Sequence, residues 1–342
     1  MKTTQLGRTG LEVSELGFGG IPILRLESGQ AERILGKAFD LGITLYDTAH
    51  LYGDSEGKIG RALHGVRDQV VLASKTMKRD AAGAAEQLHN SLRELQTEWI
   101  DVFQCHQVSA ESEWKEISGP SGALEALSKA RDKGQVRFLG VSSHSQEMAV
   151  KLVQTGMFDT VQFPFNIIEN EPREALFPAA RDRGMGILAM KPFAGGVIDD
   201  ARLAFAFLRQ EPGIIPIPGF DSEAAVEEVV GLFERDNEVT NDDLRQMEEL
   251  RNRLGNRFCR RCEYCLPCPN GVAIPTAMGY PILVSRMSPP TATAFAAKAM
   301  ETVPLCADCE ECLEKCPYNL PIPDMIKEHY AQYERDRKNS GQ

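Results

Sequence analysis

Eight of the nine cysteines fall between residues 259 and 316, in two regular runs. The first is Cys259-x2-Cys262-x2-Cys265-x2-Cys268, then Pro269; the second is Cys306-x2-Cys309-x2-Cys312-x3-Cys316, then Pro317. Cysteines so spaced are disulfide partners or metal ligands. The x2 spacing suits disulfides poorly, and Met1-Lys2-Thr3-Thr4-Gln5 lacks the apolar stretch of an export signal. Zinc needs only two C-x2-C pairs per ion. Triplets of C-x2-C-x2-C, each followed by Cys-Pro, fit an iron–sulfur cubane better, and eight thiolates match two [4Fe–4S] clusters.

A second set of reactive side chains lies far upstream. Tyr46-Asp47-Thr48-Ala49-His50-Leu51-Tyr52-Gly53, Ser74-Lys75-Thr76 and Cys105-His106-Gln107 each sit at the end of a short apolar run. A phenol, with a free pKa of about 10, is a poor acid at neutral pH unless tuned. A buried ammonium lowers it by stabilising the phenolate. Lys75 is expected to do this for Tyr52, with Asp47 holding Lys75 charged. Taken singly, each residue reads as packing or a structural ion pair; the set of four reads as a site.

The elements that must position them alternate. Apolar runs at 15–19, 44–48, 70–75, 101–106, 137–142, 160–165, 186–191 and 214–218 predict strands. Amphipathic patterns at 30–41, 84–95, 122–133, 146–154, 173–183, 200–209 and 222–233 predict helices, with capping residues Ser28, Ser145 and Asp221. Repeated strand–helix units point to an α/β fold, a (β/α)8 TIM barrel. Residues 1–13 read as a hairpin ahead of it. Domains are expected at 1–255, the barrel, and 256–342, a small C-terminal iron–sulfur module. Within the second part, Pro289–Met300 and Ile322–Asn339 predict helices.

The order Asp47-Thr48-Ala49-x-x-Tyr52-Gly53, then Lys75, then His106, resembles the aldo-keto reductase family over the whole barrel. The cysteine module resembles that of its ferredoxin-fused branch, and Cys265-Leu266-Pro267-Cys268-Pro269 keeps that branch's form. The resemblance implies an NAD(P)H-dependent oxidoreductase that interconverts a small carbonyl and an alcohol. Tyr52 would be the acid, Lys75 and Asp47 its support, and His106 the donor that orients the carbonyl oxygen. For the nicotinamide it implies Ser142, Ser143 (where the family usually has Asn), Gln162 and Met190 (where an aromatic ring usually stacks). Gly19 and Gly20, then Lys191, Pro192 and Gly195, would approach the cofactor's phosphates. Gly219 and Ser222 lie in the eighth loop, where members specific for NADPH carry Lys and Arg. Here Asp221 and Glu223 add negative charge, which leans toward NADH over NADPH. The ferredoxin pattern implies crossed ligand sets, Cys259, Cys262, Cys265 and Cys316 for one cluster and Cys268, Cys306, Cys309 and Cys312 for the other. His50 and His144 could line the substrate mouth. Trp114 either walls the pocket or anchors its loop, and Cys105 reads as a small core residue.

A hydride carries two electrons and such a cluster passes one, so a flavin normally mediates. No G-x-G-x-x-G follows a strand, and barrel phosphate sites lack a strong linear signature, so a flavin is unsupported but open. Three functions remain: a carbonyl reductase whose clusters are structural or redox-sensing, an electron-transfer enzyme with a redox protein partner, or a scaffold. The net charge of −11 argues against nucleic acid. No apolar run reaches membrane-spanning length, and the chain is expected to be cytoplasmic.

Overall fold

The computed structural model describes residues 1–254, 259, 265–316 and 319–340. They form two compact units, Met1–Ala194 with Asp200–Thr240, and Gly195–Asp199 with the residues from Asn241 onward.

The first unit opens with antiparallel strands β1 (Thr3–Gln5) and β2 (Glu12–Ser14), Thr3 opposite Ser14. Eight parallel strands follow and pair in chain order: β3 (Gly17–Gly19), β4 (Leu45–Asp47), β5 (Val71–Thr76), β6 (Ile100–Cys105), β7 (Val136–Ser142), β8 (Thr160–Pro164), β9 (Gly186–Met190) and β10 (Ile214–Pro216). The ring closes where Gly19 bridges Gly219 and donates its N–H to the Pro218 carbonyl at 2.7 Å. Closure explains the glycine there: a Cβ on Gly19 would lie 2.8 Å from the Ile217 carbonyl oxygen. Each strand lies within two residues of its predicted span. Nine helices surround the first unit's strands: α1 (Ser28–Asp40), α2 (Ser55–Leu63), α3 (Ala81–Glu94), α4 (Glu111–Ser118), α5 (Ala123–Asp132), α6 (Gln146–Gln154), α7 (Leu176–Asp182), α8 (Ala201–Leu208) and α9 (Glu223–Phe233). Ser145 caps α6 as expected, but Ser222 rather than Asp221 caps α9, and Ser28 lies inside α1.

Side chains alternate across a strand, so residues two apart share a face. Leu45, Val71, Ala73, Val102 and Leu188 point inward, forming an apolar plug with Leu6, Leu11 and Val13 of the hairpin. Asp47, Lys75, Gln104 and Met190 stand two residues further along the same faces. The polar layer is therefore fixed by register, seated on the plug at the C-terminal end of the strands. The opposite end has its own tie: Asp101, 1% exposed, accepts from Leu72 N–H (2.9 Å), Arg67 (2.8 Å) and Arg137 (2.9 Å), which joins the starts of β5, β6 and β7.

The periodicity gave no sign of α2 or α4. Helix α2 carries Gly57 and Gly60, which weaken its local preference. Gly60 is there for packing: a Cβ would come within 2.8 Å of Leu95 Cα at the end of α3.

The second unit comprises α10 (Asn241–Leu254), α11 (Ile274–Met278), α12 (Tyr280–Arg286), α13 (Pro289–Met300), α14 (Glu311–Lys315) and α15 (Ile322–Asn339). Helices α13 and α15 match their predicted spans. Its core joins Ile274, Met278, Tyr280, Met300, Met325 and Tyr333, with Cys316 among them and Cys259, Cys265, Cys268, Cys306 and Cys312 packed against it. The Tyr280 hydroxyl donates to Asp336 at 2.9 Å, and its ring meets Tyr333 edge-on at 5.6 Å. No helix among the described residues is long and apolar enough to cross a membrane.

Gly60→Ala should destabilise the protein by about 1–3 kcal/mol, the range for overpacking, despite alanine's better helix propensity. Urea unfolding checks this; a midpoint equal to or above that of the parent would refute the close α2–α3 contact.

Candidate active site

Asp47 ends β4, Lys75 lies near the end of β5, and His106 follows β6 directly. All three are almost fully buried. Lys75 Nζ donates to both Asp47 carboxylate oxygens at 2.7 Å and to the Thr48 carbonyl at 2.6 Å. Its three protons have three acceptors. Gln104 and Gln162 steady the carboxylate: Gln104 Nε2 donates to Gln162 Oε1 (2.8 Å) and to Asp47 Oδ1 (3.4 Å), and Gln162 Nε2 donates to Asp47 Oδ2 (3.4 Å). Burial pushes the Asp47 carboxyl up and the Lys75 ammonium down, and their mutual attraction opposes both shifts.

The half-buried Tyr52 ring lies between two of these groups. Lys75 Nζ is 5.4 Å from its centroid, and the His106 ring meets it edge-on at 5.7 Å. The sequence leads one to expect that Lys75 lowers the Tyr52 pKa; here the pKa is raised. Burial is the larger cause and the negative Asp47 the second. With its protons committed to Asp47 and Thr48, Lys75 belongs to a nearly neutral pair. Tyr52 is therefore a phenol at neutral pH.

His106 moves the other way. Burial, then the positive Lys75 and Arg79, lower its pKa to about 2, so the ring is neutral. Its Nδ1 is enclosed without a partner. A buried N–H lacking an acceptor is costly, which places the proton on Nε2. Arg79 fixes the backbone beneath, donating to the His106 carbonyl at 2.7 Å and to Glu113 at 2.6 Å.

The three strands beside this group bring together the residues expected at a nicotinamide. Ser142 and Gln162 are register partners, and Met190 is paired with Pro164 on the same side. Their polar atoms already have internal roles. Ser142 Oγ accepts from Gln107 N–H (2.9 Å), Ser143 Oγ accepts from Ser145 N–H (3.1 Å), and the Gln162 amide braces Asp47. Lys191, Pro192 and Gly195 lie on the loop after β9, where Lys191, Ala194, Gly195 and Gly196 all have positive φ. Gly20 donates its N–H to the Asp47 carbonyl at 2.8 Å, and a Cβ there would sit 2.6 Å from Ser55 Oγ. A Cβ on Gly219 would run into the Pro22 ring. Both glycines are thus required by packing. The Ser222 hydroxyl caps α9 by accepting from Ala225 N–H at 3.3 Å.

Gln104 and Glu56 belong to this region and sequence reading passed over both. Gln104 shares a strand face with Val102 and His106, a parity signal that could have found it. Glu56, 2% exposed, accepts from Ser74 Oγ at 2.5 Å, and its second oxygen is 3.6 Å from His50 Nδ1. Burial pushes its carboxyl up. His144 is pushed well down by burial, then by Lys191 and His106. Trp114 is buried against Phe158 at 6.0 Å, which makes it an anchor for its own segment. Cys105 faces away from the mouth, and burial pushes its thiol up to about 12.

In the second unit, Cys265, Cys268, Cys306, Cys309 and Cys312 line one cavity, with Val272, Ile274 and Ile326 as its apolar wall. Two cysteines of the first run thus join three of the second. Burial pushes the Cys312 thiol up, and the Cys306, Cys309 and Cys268 thiols add to the shift. Among the described residues no three such side chains close around a single-ion position. Thiols spread around a cavity are what a multi-atom cluster requires, and the donor set suits iron and sulfide. Cys259, Cys265 and Cys316 pack on the same core; Cys262 lies outside the described residues.

The barrel with its polar layer over an apolar plug defines an oxidoreductase class, and the chain belongs to the Aldo/keto reductase family, which residues 15–203 match. Residues 258–321 match the 4Fe-4S dicluster domain. The aldo-keto reductase YhdN of Bacillus subtilis is 32% identical over 218 residues, 58% of this chain and 64% of that protein, so under two thirds of its length is matched. The uncharacterized oxidoreductase YrpG of the same organism is 32% identical over 58% of this chain and 68% of its own length. Among solved structures, aldo-keto reductase AKR11C1 of Bacillus halodurans superimposes with a TM-score of 0.64 at 25% identity, covering 73% of this chain and 96% of that one. The Klebsiella pneumoniae aldo-keto reductase solved with NADPH gives 0.62 at 23% identity over 73% and 95%, a likeness of fold.

His106 is neutral when folded and titrates near pH 6.5 when unfolded, so protons favour the unfolded chain below that value. Stability should fall with falling pH from about 6.5 toward 2. His106→Gln should make that fall shallower in denaturation at pH 4 against pH 7; equal slopes in the two proteins would show that this imidazole titrates normally in the fold. Cys268→Ala should lower iron content by roughly half, one of two cubanes; retention of parental iron would take Cys268 out of the ligand set.

Proposed function

We propose that this chain interconverts a carbonyl and an alcohol by hydride transfer with NADH or NADPH, and that its cysteines hold two [4Fe–4S] clusters. The observation that carries the reading is the meeting of Tyr52 with His106 and the Lys75–Asp47 pair at the C-terminal ends of three successive barrel strands. Held there, a nicotinamide cofactor would supply hydride for the carbonyl carbon. Tyr52 supplies the proton. Burial and Asp47 keep that proton in place at neutral pH, so it is available as negative charge grows on the substrate oxygen. Once it has left, the ammonium of Lys75 near the ring face stabilises the phenolate. His106, with its proton on Nε2, gives the same oxygen a hydrogen bond and fixes its position.

Ser142, Ser143, Gln162 and Met190 would hold the nicotinamide, and Gly19, Gly20, Lys191, Pro192, Gly195, Gly219 and Ser222 the rest of the cofactor. The adjacency of β7, β8 and β9, with Ser142 and Gln162 as register partners, supports the placing of Ser142, Gln162 and Met190 together. Segment 218–225 has no Lys or Arg, and Asp221 and Glu223 stand in it, which favours NADH. The barrel would occupy residues 1–255 and the cluster module 256–342, with Cys259, Cys262, Cys265 and Cys316 as one ligand set and Cys268, Cys306, Cys309 and Cys312 as the other. The partner is a small molecule in the cytoplasm. A second reading, a one-electron port serving a redox protein, draws on the exposure of Cys309 at the rim of its cavity.

Tyr52→Phe should lower carbonyl reduction by about 10²–10⁴-fold, the usual contribution of a positioned acid, with cofactor affinity unchanged. Turnover of small aldehydes and ketones with NADH under anaerobic conditions measures the first, and fluorescence titration the second. Parental turnover in this variant would remove Tyr52 from the chemistry. Kd values for the two cofactors decide the other point: tighter NADPH would overturn the preference for NADH.

A further inference from the structure

The two ends of the cysteine runs are built alike. Cys268-Pro269-Asn270-Gly271-Val272-Ala273-Ile274-Pro275 parallels Cys316-Pro317-Tyr318-Asn319-Leu320-Pro321-Ile322-Pro323. The backbone repeats as well. Gly271 N–H donates to the Cys268 carbonyl at 3.0 Å, and Asn319 N–H to the Cys316 carbonyl at 3.2 Å. Both donors are left-handed, with φ of 74° and 50°, and in both copies the Ile-Pro opens a helix, α11 or α15. Among the positions that differ is the third residue. In the first copy it is Asn270; in the second it is Tyr318, outside the described residues.

The Asn270 carboxamide points its Nδ2 at Cys309 Sγ, 3.9 Å away. Among the described residues this carboxamide has no other hydrogen bond, so its donor is directed at the Cys309 thiol. The surroundings of Cys306 contrast with this. Its Sγ lies 3.9 Å from an Asp308 carboxylate oxygen, and Asp308 is bound by Lys327 at 2.5 and 2.7 Å, so among the described residues no side-chain donor is aimed at that sulfur there. A donor aimed at a ligating sulfur withdraws negative charge from the cluster and stabilises its reduced form more than its oxidised form. Exposure acts on the same side, because Cys309 faces solvent while Cys316 is buried.

We propose that Asn270 tunes the reduction potential of the cluster held by Cys268, Cys306, Cys309 and Cys312. It raises that potential above that of the other cluster by donating its Nδ2–H to the Cys309 sulfur. Asn270 is a positioning residue for electrons and not a ligand. The inequivalence gives the module a direction, since an electron entering at either cluster settles on the solvent-facing one. The proposal rests on the two-cluster reading given above.

The test is an anaerobic redox titration of the purified full chain followed by electron paramagnetic resonance, with iron and sulfide assayed on the same samples. The parent should show two midpoints. Asn270→Leu should lower the upper midpoint, leave the lower one in place and keep the iron content. The expected shift is threefold to tenfold in the one-electron equilibrium, the latter being about 59 mV. If N270L loses iron, N270D keeps the shape of the side chain, replaces its donor with an acceptor, and should lower the same midpoint. Unchanged midpoints, a shift of the lower one alone, or equal shifts of both would overturn the role of Asn270. A parent with iron and sulfide for fewer than two clusters would instead overturn the two-cluster reading, and the proposal with it.

Discussion

The buried contact between Lys75 and Asp47 is the constraint on which the barrel's chemistry depends. Two charges taken out of water are costly, and they are tolerated where their attraction is close and every remaining hydrogen-bonding position is filled. Both carboxylate oxygens meet Nζ at 2.7 Å, the Thr48 carbonyl takes the third proton, and the Gln104 and Gln162 amides stand behind the carboxylate. The same burial sets the character of the neighbours. Burial, with Asp47 adding to it, keeps the proton on Tyr52; burial, with Lys75 and Arg79 adding to it, keeps His106 neutral.

The pair also explains why the barrel is built as it is. Its members come from β4 and β5, and their supports from β6 and β8, so the geometry survives only if four strands keep register. The apolar plug two residues below fixes that register, because slipping any strand by one position would turn its polar residue into the helix layer. At the far end, Asp101 ties two of the same strands, β5 and β6, to β7 by their starts.

Much of this was legible in the chain. The eight strands were found because short apolar runs bounded by helical patterns leave little choice, and their position at the ends of those runs gave Asp47, Lys75 and His106. Helix α2 was hidden because Gly57 and Gly60 dilute its pattern; Gly60 answers to Leu95, a contact that no local signal records. Gln104 looked like one polar residue in an apolar strand, and Glu56 like one of many surface carboxylates, until the fold enclosed them. The direction of the Tyr52 shift was misread for a sharper reason. Proximity to an ammonium is visible in a motif, but how many of its protons are already taken is not. Glycines read as cofactor contacts, Gly20 and Gly219, are also fixed by the packing of the first and eighth loops, a demand the sequence does not separate from ligand approach.

The sharing of one cavity by both cysteine runs bears on how the protein is made. Cys268 leaves the ribosome 38 residues ahead of its first cavity partner from the second run, Cys306. At ordinary rates of about 5–20 residues per second that gap lasts roughly 2–8 seconds. Throughout it the first run is a set of bare thiols, while the barrel's strands, all earlier in the chain, are free to assemble. On the proposed ligand sets, neither cluster can be completed from one run alone. The barrel's sequence is therefore complete before either proposed ligand set is, and on those sets the closing of the clusters is a late step of synthesis.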